Sequence, residues 1–362
     1  MALEAHQFLP SFGWRDAVGT HTLQTRRALA EAGIKGRIWS EEIQSEMAKS
    51  AGPPEGYAGL RSARRGGNVL LYQASTGSHG MVETITKRPE PKTLYYHNVT
   101  PARFFEDYVP AAALNLTWGR QELGMLAPHV RVGMANSEFS AEELRALGIE
   151  DVRVIPPYLP PTAGAAADAT YASWLRRTKR GIDVLAVGRV VPHKGHVHLL
   201  RAFAALRAAV DPGARLLIVG AWGPEAYMRA LFGLREHLGL ERVAFTGSVS
   251  EASLAAHYQE ADVYLSLSEH EGFGLPLIEA MRHSLPVVAY AGGAVEETLD
   301  GAGLLLPTLD PPTVAEVLGR VATDDALRAA MVKGQRERVA EVEAFPRDEH
   351  IVRAVRDAAH TV

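Results

Sequence analysis

Three short stretches carry side chains whose types and spacing could bind an anion beside a set of hydroxyls. In "GRVVPHKG" (188–195), Gly188 and Gly195 bracket Arg189 and Lys194. A guanidinium forks onto two phosphate oxygens, an ammonium adds a mobile point charge, and glycines let the backbone come close to such a ligand. A surface turn with two solvated cations is the competing reading. A Walker loop is disfavoured, because Lys194 is followed by Gly195 rather than Ser or Thr.

The second stretch is "SEHEGFGLPLIEAMRHS" (268–284). Gly272 and Gly274 keep its loop thin, and Pro276 suits the first turn of a helix running to about Arg282. Glu271 lies before that helix and Glu279 within it, so two carboxylates could hold two different sets of hydroxyls. Free N–H groups at the helix start would welcome an anion. The plainer alternative is a helix start decorated with acids for its dipole. A glycosidase also pairs two carboxylates, but here they stand near a candidate phosphate loop, which favours a sugar nucleotide. The third stretch, "YYHNVTPARFF" (95–105), ends a strand on His97, with Asn98 and Thr100 before Pro101. Such a histidine alone is more often a structural residue than a catalyst.

The elements that must position these groups alternate. Strands are predicted at 36–39, 68–73, 92–97 and 131–136, with a helix at 20–33 ending on Gly33. In the second half "IDVLAV", "RLLIVG", "VAFTG", "VYLSLS", "PVVAY" and "GLLLP" repeat the rhythm. Short, nearly continuous apolar strands between amphipathic helices point to parallel sheets buried on both faces. The proline- and alanine-rich run between the halves reads as a linker. The fold class expected is α/β, with two doubly wound Rossmann-like domains and a catalytic cleft between them. The divisions are 1–155, a linker at 156–179, a second domain at 180–345, and a C-terminal helix at 346–362 that packs back on the first domain. Ligands in such sheets bind beyond the carboxyl ends of the strands, where all three stretches fall.

Composition narrows the classes. With 47% hydrophobic and 22% charged residues the chain can bury ordinary cores, and its net charge of -4 argues against a general nucleic-acid binder. Without cysteine there are no disulfides and no thiolate chemistry, in keeping with a reducing cytoplasm. "MALEAHQFLP" lacks the pattern of a secretory signal, and no apolar run reaches membrane-spanning length. Membrane contact would be peripheral, at the inner membrane; "GLRSARRGG" (59–67) reads mainly as a solvated loop.

Together these motifs resemble the retaining glycosyltransferases of family 4, which have the GT-B fold. The resemblance rests on Glu-x7-Glu, met by Glu271 and Glu279, and on Gly-Arg-x4-Lys-Gly, met by Gly188, Arg189, Lys194 and Gly195. "ANSEFSAEELRALGI" (135–149) resembles the segment that ends the first domain in that family. The resemblance implies that Arg189 and Lys194 bind the donor diphosphate. It implies that Glu271, Phe273, Gly274 and Leu275 meet the transferred sugar and phosphate, that Glu279 holds ribose hydroxyls, and that His97 sits by the sugar. Many members carry a Gly-Gly pair after the first strand. Here "GWRDAVGTHT" (13–22) offers Gly19 to the phosphate and Asp16 to the acceptor, with Asn98 also on the acceptor side, as in a bacterial subgroup that includes builders of surface polysaccharides. The base is expected near 219–225 and 245–250, where Gly247 permits close approach.

The function implied is transfer of a hexosyl group, with retention, from a UDP- or GDP-sugar to a glycan, lipid-linked or small-molecule hydroxyl. No cofactor or metal is expected, since there is no Asp-x-Asp motif. A nucleotide-sugar epimerase of the same fold and a non-catalytic nucleotide-sugar-binding subunit are the alternatives. A dinucleotide oxidoreductase lacks its Gly-x-Gly-x-x-Gly turn.

Overall fold

The structure, a computed structural model, describes residues 3–14, 16–59, 67–160 and 166–360. It divides into two compact units. Unit 1 comprises Met1–Glu106, Pro110–Pro160 and Phe345–Val362, and unit 2 comprises Asp107–Val109 and Pro161–Ala344.

Unit 1 is built on seven parallel strands: β1 (Glu4–Phe12), β2 (Ile38–Ile43), β3 (Ala51–Gly52), β4 (Asn68–Ala74), β5 (Lys92–Tyr96), β6 (Val130–Ala135) and β7 (Val152–Val154). Their order is β3-β2-β1-β4-β5-β6-β7, so the direction of winding reverses between β1 and β4. Side chains alternate across a strand, and both faces are apolar. Leu70, Tyr72, Leu94 and Tyr96 pack on one side, with Leu123 and Leu126 of the helix Pro110–Leu126 and Leu144 of Glu138–Ala146. Val69, Leu71, Tyr95, Val132 and Met134 face the other side. There they meet Leu29 of the helix Ala17–Glu31 and Ile351, Val352 and Val355 of the last helix, Arg347–His360. Burying each of those branched side chains stabilises unit 1 by about 1.5–3 kcal/mol. Arg347 fixes the start of that helix by donating from Nε to the carbonyls of Pro156 (3.2 Å) and Pro157 (2.9 Å).

Unit 2 has six parallel strands: β8 (Asp183–Val187), β9 (Arg215–Val219), β10 (Val243–Gly247), β11 (Val263–Ser266), β12 (Val287–Tyr290) and β13 (Leu304–Leu306). Their order is β10-β9-β8-β11-β12-β13, reversing between β8 and β11. The core runs from Val184, Leu216 and Leu265 in the sheet to Phe203 in the helix His196–Ala209 and Leu318 in Pro311–Thr323.

Three sequence expectations change. The linker predicted at 156–179 is partly helix, Ala169–Thr178, capped by Asp168 and holding Leu175 fully buried. Its pattern was masked by the preceding prolines and alanines. Gly19 lies inside the first helix, which starts at Ala17 rather than 20. The strand at 36–39 is displaced to Ile38–Ile43. The basic loop at 60–66 and the linker residues 161–165 lie outside the described residues.

Candidate active site

In unit 2 the strand order reverses between β8 and β11, and the loops beyond such a reversal are where open α/β sheets bind ligands. The first two stretches occupy those two loops. After β8 the chain turns through Gly188 (φ 146°), buries Val190 and Val191, makes a single 3-10 turn at Pro192–Lys194, and enters the next helix through Gly195 (φ 67°). A Cβ on Gly195 would stand 2.0 Å from the Leu267 carbonyl oxygen of the loop after β11, so glycine is dictated by both conformation and contact. Glu269 N donates to the His193 carbonyl oxygen (2.8 Å) and ties the loops together.

This brings the two motifs into one constellation. Lys194 Nζ donates to both carboxylate oxygens of Glu271, at 2.6 and 2.9 Å, with the side chains 21% and 11% exposed. Arg189, on the same loop, is exposed and has no ion pair among the described residues. One cation is thus held in register by a carboxylate, while the other faces solvent.

Beyond Glu271, Phe273 is buried and Gly274 (φ 92°) opens the helix Leu275–Arg282. Pro276 occupies the first turn, where its missing N–H costs nothing. Glu279 sits one turn in, half-buried, and accepts a hydrogen bond from Tyr258 Oη at 2.7 Å. Burial raises its pKa, and the Tyr258 bond works against that rise.

The sequence reading missed the loop that supports Glu271. After β12, Ala294 N donates to the Glu271 carbonyl oxygen (2.9 Å), and a Cβ on Gly293 would approach that oxygen to 2.4 Å. Thr298 Oγ1 donates to the Phe273 carbonyl oxygen. The adjacent glycines of "AYAGGAVEE", directly after an apolar strand, were the available signal. At the expected base region, Gly247 (φ 70°) ends β10 with exposed Trp222 beside it; a Cβ on Gly247 would lie 3.4 Å from Trp222 Nε1.

In unit 1, His97 follows β5 and its Nε2 lies 2.8 Å from Gln73 Oε1. Burial lowers its pKa to about 3, so the ring is neutral at ordinary pH. The other residues expected to act in unit 1 are also engaged within the fold. Asp16 caps the first helix and accepts from Gly19 N (3.1 Å), so that N–H is already engaged. Glycine is required at 19 because a Cβ would meet the Gly13 carbonyl oxygen at 2.4 Å. Asn98 is buried in a left-handed turn (φ 76°) and donates from Nδ2 to Ser140 Oγ (3.2 Å), which turns its amide into unit 1. No cluster of three or more His, Asp or Glu side chains suited to a metal occurs among the described residues. Among them, no helix is long and apolar enough to cross a membrane.

Two parallel Rossmann-like sheets, with candidate groups on the carboxyl-end loops of each, define the GT-B class of fold. Residues 174–338 match the family model described as glycosyl transferases group 1. It is 34% identical over 222 residues to a D-inositol 3-phosphate glycosyltransferase of Kineococcus radiotolerans, covering 55% of this chain and 50% of that protein. It is 35% identical over 158 residues to a GDP-mannose-dependent alpha-(1-6)-phosphatidylinositol monomannoside mannosyltransferase of Mycolicibacterium smegmatis, covering 41% and 40%. The first relatives are matched over only 37% to 51% of their own length. In fold the chain is similar to the crystal structure of Anabaena HepE in complex with UDP-glucose, with a TM-score of 0.69 and 17% identity over 99% of this chain and 100% of that one.

Proposed function

We propose that this protein is a retaining hexosyltransferase that moves a sugar from a nucleoside diphosphate to a hydroxyl acceptor. The observation that carries the proposal is the Lys194–Glu271 pair spanning the strand-order reversal of unit 2, with Arg189 exposed on the same loop. As the anomeric carbon–oxygen bond breaks, negative charge grows on the departing diphosphate. Arg189, Lys194 and the N–H groups at Gly274 and Leu275 are the groups assigned to meet that charge, and they would favour the transition state over the bound substrate. Glu279 is assigned to the ribose hydroxyls, Glu271 and Phe273 to the sugar side of the donor, and Gly247 to the base region. His97 of unit 1 is assigned to the transferred sugar. The reaction then uses no metal: the protein's own cations take that part. The acceptor hydroxyl attacks on the face the diphosphate leaves, and a phosphate oxygen takes its proton.

The mannosyltransferase relative supports a GDP-sugar as donor and the HepE complex a UDP-sugar, and the two named relatives support an inositol- or lipid-linked acceptor, in bacterial glycan or glycoconjugate synthesis. The reaction would lie on the cytoplasmic side, with peripheral membrane contact where the acceptor is a lipid. The test is a panel of UDP-, GDP-, ADP- and TDP-sugars without added metal, following release of nucleoside diphosphate. An Arg189→Ala/Lys194→Ala variant runs beside it, and the product's anomeric configuration is read by NMR. Release from one donor that is lost in the variant, with retention in the product, supports the proposal. Release unchanged in the variant, or an inverted product, rejects it.

A further inference from the structure

A chain of buried amides in unit 1 leads from a carbonyl that can only accept to the ring of His97. Gln7 of β1 and Gln73 of β4 are 1% and 0% exposed, on the sheet face that also carries Val69, Leu71 and Tyr95. Gln7 Nε2 donates to the Thr22 carbonyl oxygen in the first helix (3.0 Å). A carbonyl has no proton, so this contact fixes which end of the Gln7 amide is nitrogen. Gln7 Oε1 is then an acceptor, and Gln73 Nε2 donates to it at 2.8 Å. Gln73 in turn presents Oε1 to His97 Nε2, also at 2.8 Å. An oxygen facing a ring nitrogen requires the proton on that nitrogen. Reversing any one amide would set donor against donor or acceptor against acceptor in a dry interior.

We propose that Gln7 and Gln73 are positioning residues that lock His97 as its Nε2–H tautomer, leaving the Nδ1 lone pair to accept a hydrogen bond from a substrate hydroxyl. This rests on the reading of the protein as a hexosyltransferase, whose substrates are polyols. Nδ1 has no partner among the described residues. The rings facing His97 are His21 of the first helix, at 5.0 Å between centroids, and Tyr95 of β5, at 4.7 Å. Tyr158 lies against His21 at 5.2 Å, and the positive field of Arg347 reaches His21. None of these groups brings a carboxylate to His97, and burial keeps its ring neutral. A neutral ring with a fixed acceptor discriminates for a hydroxyl and against a second acceptor. An unfixed ring would bind both.

The tautomer is measured directly, on the full chain without substrate, by long-range proton–nitrogen NMR of ring-labelled histidines, with His97 assigned from the His97→Asn spectrum. The expected pattern is one species protonated at Nε2 and bare at Nδ1. Gln73→Glu keeps the acceptor that faces His97, gives up the N–H that Gln7 Oε1 accepts, and adds a charge that stabilises the imidazolium. In that variant Nδ1 becomes a donor at neutral pH. The donor-sugar KM should then vary with pH through the new ring pKa, because a protonated Nδ1 can only donate to the hydroxyl and no longer accept from it, while the wild-type profile stays flat. A bare Nε2 or mixed tautomers in the wild type overturn the proposal, as does a KM profile for Gln73→Glu as flat as the wild type's. The spectrum needs no turnover, so an inactive wild type overturns the transferase reading while the tautomer is still decided by NMR.

Discussion

Replacing Glu271 by Gln should make the free protein less stable and yet tighten its grip on a nucleoside diphosphate. The Lys194–Glu271 pair has two contacts, at 2.6 and 2.9 Å, with side chains 21% and 11% exposed. Breaking a fully buried pair costs about 3–5 kcal/mol, and an exposed pair is worth about 0–1. With this degree of burial the ammonium left behind should cost about 1–3 kcal/mol. A bound diphosphate restores the missing counter-charge, so most of that cost returns as binding energy, about five- to 150-fold in Kd. Turnover should nevertheless fall, since Glu271 is assigned to the sugar side of the donor. The assay is thermal unfolding and titration calorimetry with UDP and GDP, for wild type and Glu271→Gln, at low and high salt. A lower Tm for the free variant, a larger upward shift on adding the ligand, and an effect that shrinks with salt are expected. A variant at least as stable as wild type that binds either nucleotide less tightly would refute the reasoning. In that case the carboxylate assists the anion site rather than competing for its cation.

Gly195→Ala should cost at least about 2 kcal/mol in urea unfolding, because it combines a left-handed backbone with a Cβ 2.0 Å from the Leu267 carbonyl oxygen; a loss below 0.5 kcal/mol, on the order of a surface change, would show that the loops can part freely. Ile351→Ala, which empties a site between the last helix and the unit 1 sheet, should cost about 2–4 kcal/mol by the same measurement. Burial lowers the pKa of His196 and of His257 to about 4 each, below the value of about 6.5 expected in the unfolded chain. Between those values the unfolded state binds more protons, so stability is full above about pH 6.5 and falls as pH drops toward 4, by up to about 1.4 kcal/mol per pH unit for each ring. Urea midpoints at pH 7.5, 6.5 and 5.5 would show it, and His196→Gln should lessen the slope.

The parts of the fold legible in the sequence are those where one physical demand dominates. β4, β5 and β9 are short apolar runs because both faces of a parallel sheet are covered, and Pro276 and Gly274 mark a helix start because few other residues fit there. β1 is harder to read: Gln7 and His6 point inward at 1% exposed, and Pro10 interrupts the run. Its polar residues are buried because partners from other elements satisfy them, and those partners are distant in sequence. The same holds for the site. Arg189, Lys194, Glu271 and Glu279 stand out by spacing, but the support of Glu271 from Ala294 and the coupling of Gln7 to His97 are tertiary. Gly19 and Asn98, read from the sequence for ligand contact, also carry duties in packing and in a turn that spacing does not reveal.

The closing helix of unit 1 also sets an order of events during synthesis. Its sheet is complete at Val154, yet the helix that covers Val69, Leu71, Tyr95, Val132 and Met134 begins only at Arg347. At roughly 5–20 residues per second a ribosome needs about ten to forty seconds to cross that interval. All of unit 2 from Pro161 onward emerges in that time, while one apolar face of unit 1 still lacks the part of its cover that the last helix supplies. Apolar surface exposed in that window is the kind that aggregates or is bound by chaperones. A stop codon between Ala344 and the last helix would leave the second unit whole and tethered to a first unit that lacks part of its cover.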